Sequence, residues 1–188
     1  GLTLARQTVR AMGGDITVKS KLGEGSKFFV VFPYKYRLKE SIDKESDHNA
    51  NYTKALLSGT HILICEDNQM NAIITKRLLE KKGCIVDWAR DGSKGVELFK
   101  TSETGYYDAV LMDIRMPVMD GLTAARMIRK SGRPDSGTVP VIAMSANAFE
   151  EDVKKSLAAG MNEHLAKPVE PEKMYEIMSR EISKRKNK

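Results

Sequence analysis

From Thr60 onwards the chain alternates five times between a short apolar run and a longer amphipathic stretch, and few folds accept that pattern. The apolar runs span 61–65, 85–89, 109–112, 141–144 and 163–166. The first four are short apolar runs instead of alternating patterns. A strand with one wet face would alternate, so these read as parallel strands covered on both sides. The stretches between them carry apolar residues at helical spacing. They are Ile74, Leu78 and Leu79 before Gly83; Val96 and Phe99; Leu122, Ala125 and Ile128; and Val153 and Leu157 before Gly160. The last stretch has Met174, Ile177, Met178 and Ile182. Five such units in about 125 residues predict an α/β fold with an open, five-stranded, parallel, doubly wound sheet. In sheets of that kind the working residues gather outside the carboxyl ends of the strands.

The residues at those ends are distinctive. Glu66-Asp67 close the first strand, Asp113 the third, Ser145 the fourth and Lys167-Pro168 the fifth. Three carboxylates at one rim repel one another unless a cation intervenes. A hard cation with oxygen ligands answers that conflict, and Mg²⁺ suits a small open site that keeps several waters. Lys167 is then a point charge for a phosphoryl group. The Ser145 hydroxyl is a donor to a phosphoryl oxygen, and a carboxylate in this setting is a credible nucleophile towards phosphorus.

The motifs Cys65-Glu66-Asp67-Asn68, Leu111-Met112-Asp113-Ile114-Arg115-Met116-Pro117-Val118-Met119-Asp120-Gly121, Met144-Ser145-Ala146 and Lys167-Pro168 resemble the receiver domains of two-component response regulators over 60–184. The resemblance implies a flavodoxin-like fold with Asp113 as phosphoacceptor and Lys167 and Ser145 acting on the phosphoryl group. It further implies Mg²⁺ held by Glu66, Asp67, Asp113 and the backbone carbonyl of Arg115. A cis Lys167–Pro168 peptide is expected with it. The switch position, often aromatic, is His164, which read alone is a surface histidine. Arg115 and Asn147 occupy positions that tune phosphoryl hydrolysis in the family. The expected function is a two-component phosphorelay. A phosphohistidine would donate to Asp113, and a histidine phosphotransfer domain or a partner surface would receive the signal. A binding module indifferent to phosphorylation is the alternative from another class.

Residues 1–33 have their own pattern: a helix with Leu2, Leu4, Ala5, Val9 and Met12, stopped by Gly13-Gly14, then a hairpin. The segments Gly1-Leu2-Thr3-Leu4-Ala5, Met12-Gly13-Gly14-Asp15-Ile16 and Gly23-Glu24-Gly25-Ser26-Lys27-Phe28 resemble the end of a histidine-kinase ATP-binding domain, an α/β sandwich. Thr3 stands where that family has a second glycine. About 33 residues are too few to enclose ATP, so a complete kinase catalytic domain is not expected in this chain. The apolar hairpin face is expected to dock on the receiver, pair with another chain or remain disordered, with contact to another chain or molecule, self-association included, the favoured reading. Residues 34–59 read as a charged linker. This order, together with Asn68 and Asn71, resembles hybrid histidine kinases. Gly at position 1 reads as a processing boundary, and 185–188 as a basic tail.

Composition excludes other classes. The net charge is +6, of which +4 lies in the first 59 residues, without a basic stripe interleaved with aromatics, so no nucleic-acid partner is expected. The longest strongly apolar run is five residues, Phe28-Phe29-Val30-Val31-Phe32, far short of the ~20 that a membrane span needs. Cys65 and Cys84 sit in apolar stretches, which fits reduced thiols and a cytoplasmic setting. Asp120 before Gly121 reads as a helix cap and Trp88 as packing.

Overall fold

The computed structural model describes residues 6, 9, 10, 13–23, 25–31, 56–146 and 149–186. The chain divides into two compact units, Gly1–Asp43 and Lys44–Lys188. In the first, β1 (Asp15–Lys21) and β2 (Gly25–Val31) form an antiparallel hairpin in which Val18 pairs with Phe28. Val18, Phe28, Phe29, Val30 and Val31 are all exposed. Most of the helix expected over 1–12 and most of the linker lie outside the described residues.

The second unit holds β3 (His61–Cys65), α1 (Gln69–Lys81), β4 (Ile85–Ala89), α2 (Gly92–Thr101) and β5 (Ala109–Asp113). It continues through α3 (Gly121–Arg129), β6 (Val141–Ser145), α4 (Glu150–Ala158), β7 (Glu163–Ala166) and α5 (Pro171–Lys186). All five strands are parallel, in the order β4-β3-β5-β6-β7. The doubly wound sheet expected from the apolar runs is therefore present. Alternate side chains feed two cores. Ile62, Ile64, Leu111 and Met144 face one side, closed by Leu79 of α1 and Met174, Ile177 and Met178 of α5. Leu63, Cys65, Val110 and Met112 face the other, closed by Val96 and Phe99 of α2 and Ala124 and Ile128 of α3. Burial on both faces is the reason the central strands β3, β5 and β6 read as apolar runs.

Two boundaries differ from the sequence reading. The linker assigned to 34–59 is too long at its end, because Leu57 is fully buried in the sheet core and its carbonyl accepts from Thr60. Two leucines at the end of a polar stretch were masked by their neighbours' composition. The tail assigned to 185–188 starts too early, because α5 runs to Lys186 and Arg185 donates to the Tyr107 carbonyl at 2.6 Å. Helix α4 departs in its facing. Leu157 is exposed, and the residue α4 buries completely is Ser156. Gly83 and Gly160 follow the ends of α1 and α4 at φ 85° and 89°, the left-handed region that glycine enters without cost.

Candidate functional site

The order β4-β3-β5 reverses the winding of the sheet between β3 and β5, and the crevice at their carboxyl ends is where such sheets work. Glu66 and Asp67 leave β3 there, and Asp113 is the last residue of β5. Carboxylate oxygens of all three lie within 4.8 Å of one another. Glu66 and Asp113 are only 2% and 6% exposed, whereas Asp67 is open to solvent. Two buried carboxylates so close are held by Lys167 from the end of β7, whose Nζ donates to Glu66 Oε2 at 2.5 Å and to Asp113 Oδ2 at 2.6 Å. Burial works to depress the Lys167 ammonium, but the hydrogen bonds to Asp113 and Glu66 outweigh it and raise its pKa above the ordinary lysine value. The Lys167–Pro168 peptide is cis, as expected.

Further groups fix the carboxylates. The backbone N–H of Arg115 donates to Asp113 Oδ1 at 3.1 Å. Asn71 Nδ2 donates to Glu66 Oε1 at 3.1 Å, and the Trp88 indole N–H donates to the Glu66 carbonyl at 2.8 Å. Asn68 caps α1 by accepting from the N–H groups of Met70 and Asn71. Asp120 caps α3 through the Thr123 N–H, which is the capping role expected of it. A cavity of about 170 Å³ opens beside Glu66 and Lys167, with Asn71 and Ile74 in its wall.

Ser145 ends β6 at the same rim, and its Oγ lies 2.9 Å from His164 Nε2. His164 Nδ1 lies 3.2 Å from Ser156 Oγ on α4. His164 is thus half-buried and engaged at both ring nitrogens, not a surface histidine. Asn147 lies outside the described residues. Sequence reasoning placed Glu66, Asp67, Asp113, Ser145 and Lys167 at one rim, and the structure brings Glu66, Asp67, Asp113 and Lys167 together. It missed Ser156, which no motif marks, and the contact of Asn71 with Glu66, signalled only by a five-residue spacing.

Residues 62–179 match the response regulator receiver domain family. The aerobic respiration control sensor protein ArcB of Escherichia coli is 37% identical over 169 residues, 90% of this chain and 20% of that protein. The autoinducer 2 sensor kinase/phosphatase LuxQ of Vibrio vulnificus is 31% identical over 94% of this chain and 20% of its own length. The chain thus spans about a fifth of these relatives. A solved receiver domain of a Pseudomonas aeruginosa sensor histidine kinase, with a magnesium ion coordinated in its active-site cleft, is 38% identical. It superposes with a TM-score of 0.60 over 67% of this chain and 99% of that one. The receiver domain of Saccharomyces cerevisiae Ssk1, solved with the histidine phosphotransfer protein Ypd1, belongs to a structure that is 28% identical with a TM-score of 0.58, over 65% of this chain and 88% of its own. With the match covering most of the chain and the acidic crevice in the position the fold dictates, this chain belongs to the response regulator receiver domain family.

Proposed function

We propose that Asp113 accepts a phosphoryl group from a phosphohistidine and passes it on, or displays it to a partner, in a two-component phosphorelay. The observation that carries this reading is the trio Glu66, Asp67 and Asp113 with Lys167 bound across two of its members. Three hard oxygen donors with one open side suit magnesium better than a softer ion. Glu66, Asp67 and Asp113, with the Arg115 carbonyl, would hold it. Magnesium bound there supplies positive charge that offsets the charge of the phosphoryl oxygens. An Asp113 carboxylate oxygen attacks phosphorus, an O–P bond forms as the N–P bond of phosphohistidine breaks, and the departing imidazole takes a proton. Lys167 and the Ser145 hydroxyl then hold the transferred group by its oxygens. His164 links Ser145 to α4 and is read as the switch residue, with Arg115 and Asn147 setting the lifetime of the phosphoaspartate.

The donor is read as the dimerisation domain of a parent hybrid kinase and the acceptor as a histidine phosphotransfer domain. Met70 and Ile74 support this. They leave an apolar, exposed strip on α1, and Ile74 borders the cavity at Glu66 and Lys167, where a docked helix bundle could present its histidine. Similarity to ArcB over 90% of the chain, well beyond 62–179, supports reading 1–33 as the end of a kinase ATP-binding domain. Among the described residues no helix is long and apolar enough to cross a membrane, and a cytoplasmic setting is proposed for this part of the protein.

Acetyl phosphate with magnesium tests the central step. The chain should gain one hydroxylamine-labile phosphoryl group, mapped by mass spectrometry to Asp113. Asp113→Asn, folded by circular dichroism, should gain none, and equal labelling of that variant ends the assignment.

A further inference from the structure

Glu66 reaches the crevice on a longer side chain than its two acidic neighbours, and a long side chain has more rotamers to lose. Something must therefore hold its carboxylate in place, and two groups do. Lys167 takes Oε2 and the Asn71 side-chain amide takes Oε1. The two are not equivalent. Lys167 is itself a cation in the place that the acidic trio offers to a cation, and like charges repel there. The amide carries no charge. It supports the carboxylate without reducing the negative field that attracts a metal, and it keeps its hold whichever cation is present.

We infer that Asn71 is a positioning residue for the metal site, aiming the Glu66 carboxylate into the crevice from the first turn of α1. The inference rests on the magnesium-site reading above. The local structure favours it. Asn68 Oδ1 accepts from the N–H groups of Met70 and Asn71 at 3.0 and 3.2 Å, which pins the backbone that carries the amide. The cap at Asn68 and the reach-back from Asn71 make a closed loop from the end of β3 into α1 and back to Glu66. Hydrogen-bond partners of metal-binding carboxylates set metal affinity in this way, and losing one costs roughly 10–100-fold.

The test is a magnesium titration of the full chain followed by the fluorescence of Trp88, the only tryptophan, whose indole N–H is bonded to the Glu66 carbonyl. Asn71→Ala removes the donor, and Asn71→Leu removes it while keeping most of the side chain's volume. Both are expected to bind magnesium about tenfold more weakly, with a magnesium-free thermal midpoint close to that of the unchanged chain. A residue that merely supports the helix would do the opposite. A lowered midpoint with unchanged magnesium affinity overturns the inference. If the unchanged chain shows no response to magnesium by fluorescence or calorimetry, the metal-site reading falls. If it responds and both variants respond equally, only the role of Asn71 falls.

Discussion

Val118 stands at φ 65°, in the left-handed region that a β-branched residue enters only under constraint. The constraint is visible. The Met119 N–H donates to the Pro117 carbonyl at 2.7 Å, closing a tight turn around Val118. The side chain is 88% exposed and contributes no packing in return. Such backbone strain costs about 1–3 kcal/mol, and the extra freedom of glycine in the unfolded chain recovers about 0.4–1 kcal/mol of it. Val118→Gly is therefore expected to stabilise the fold by about 1 kcal/mol, read by urea denaturation. A loss of stability would show that the turn is unstrained. At this scale the acidic residues were legible because strand ends concentrate chemistry. Asn71 and Ser156 were not, because their roles depend on which way one side chain turns from a helix. Nothing in a helical pattern says that Ser156 will be fully buried against His164 while Leu157 is exposed.

Among the elements, the connection from α3 to β6 is held by one ion pair. Arg133 Nε and Nη2 each donate to a different oxygen of Asp135 at 2.9 Å, and the Gly105 N–H donates to Asp135 at 2.7 Å. The same guanidinium reaches the carbonyls of Ser102 and Glu103 just beyond α2. Asp135 thus ties two loops at the end of the sheet remote from the acidic crevice. The hydrogen bond from Arg133, reinforced by the Gly105 N–H, lowers the Asp135 pKa below its ordinary 3.8. A depressed carboxylate stabilises the fold fully above its unfolded pKa, and that stability is lost as pH falls through the folded value. Asp135→Asn should therefore cost about 2 kcal/mol near neutral pH, and the deficit should shrink once pH drops below about 4. Denaturation of both proteins across that range checks it, and a deficit constant down to pH 2 would remove the charge argument. The central strands β3, β5 and β6 were legible as elements because double burial leaves no polar alternation to misread. Helix α4 was legible in place but not in facing, since Val153 and Leu157 supply the right spacing without supplying the buried face.

For the molecule as a whole, magnesium binding to the folded state alone should raise stability by mass action. At ten times its dissociation constant the gain is about 1.4 kcal/mol. Calorimetry in magnesium and in chelator should show the midpoint of the Lys44–Lys188 unit rising, and Asp113→Asn should show a smaller rise. An identical midpoint in both buffers counts against the metal site. Composition separates the segments 1–33, 34–59 and 60–184, and Leu57 shows that a polar stretch hides the point where packing resumes. The alternation implies a parallel, doubly wound sheet but does not itself state the strand order, since sheet topology follows from handed crossovers and not from any single segment. One contact bears on how such a molecule can change over time. A methyl group on Gly121 would lie 2.1 Å from the carbonyl oxygen of Asp113 and 2.9 Å from the Met112 side chain. The start of α3 therefore rests on the backbone of Asp113, the proposed phosphoacceptor, with no spare volume. Variation that retunes the carboxylate is left to the five-residue arch between Ile114 and Asp120, while the glycine beneath it is barred from drifting.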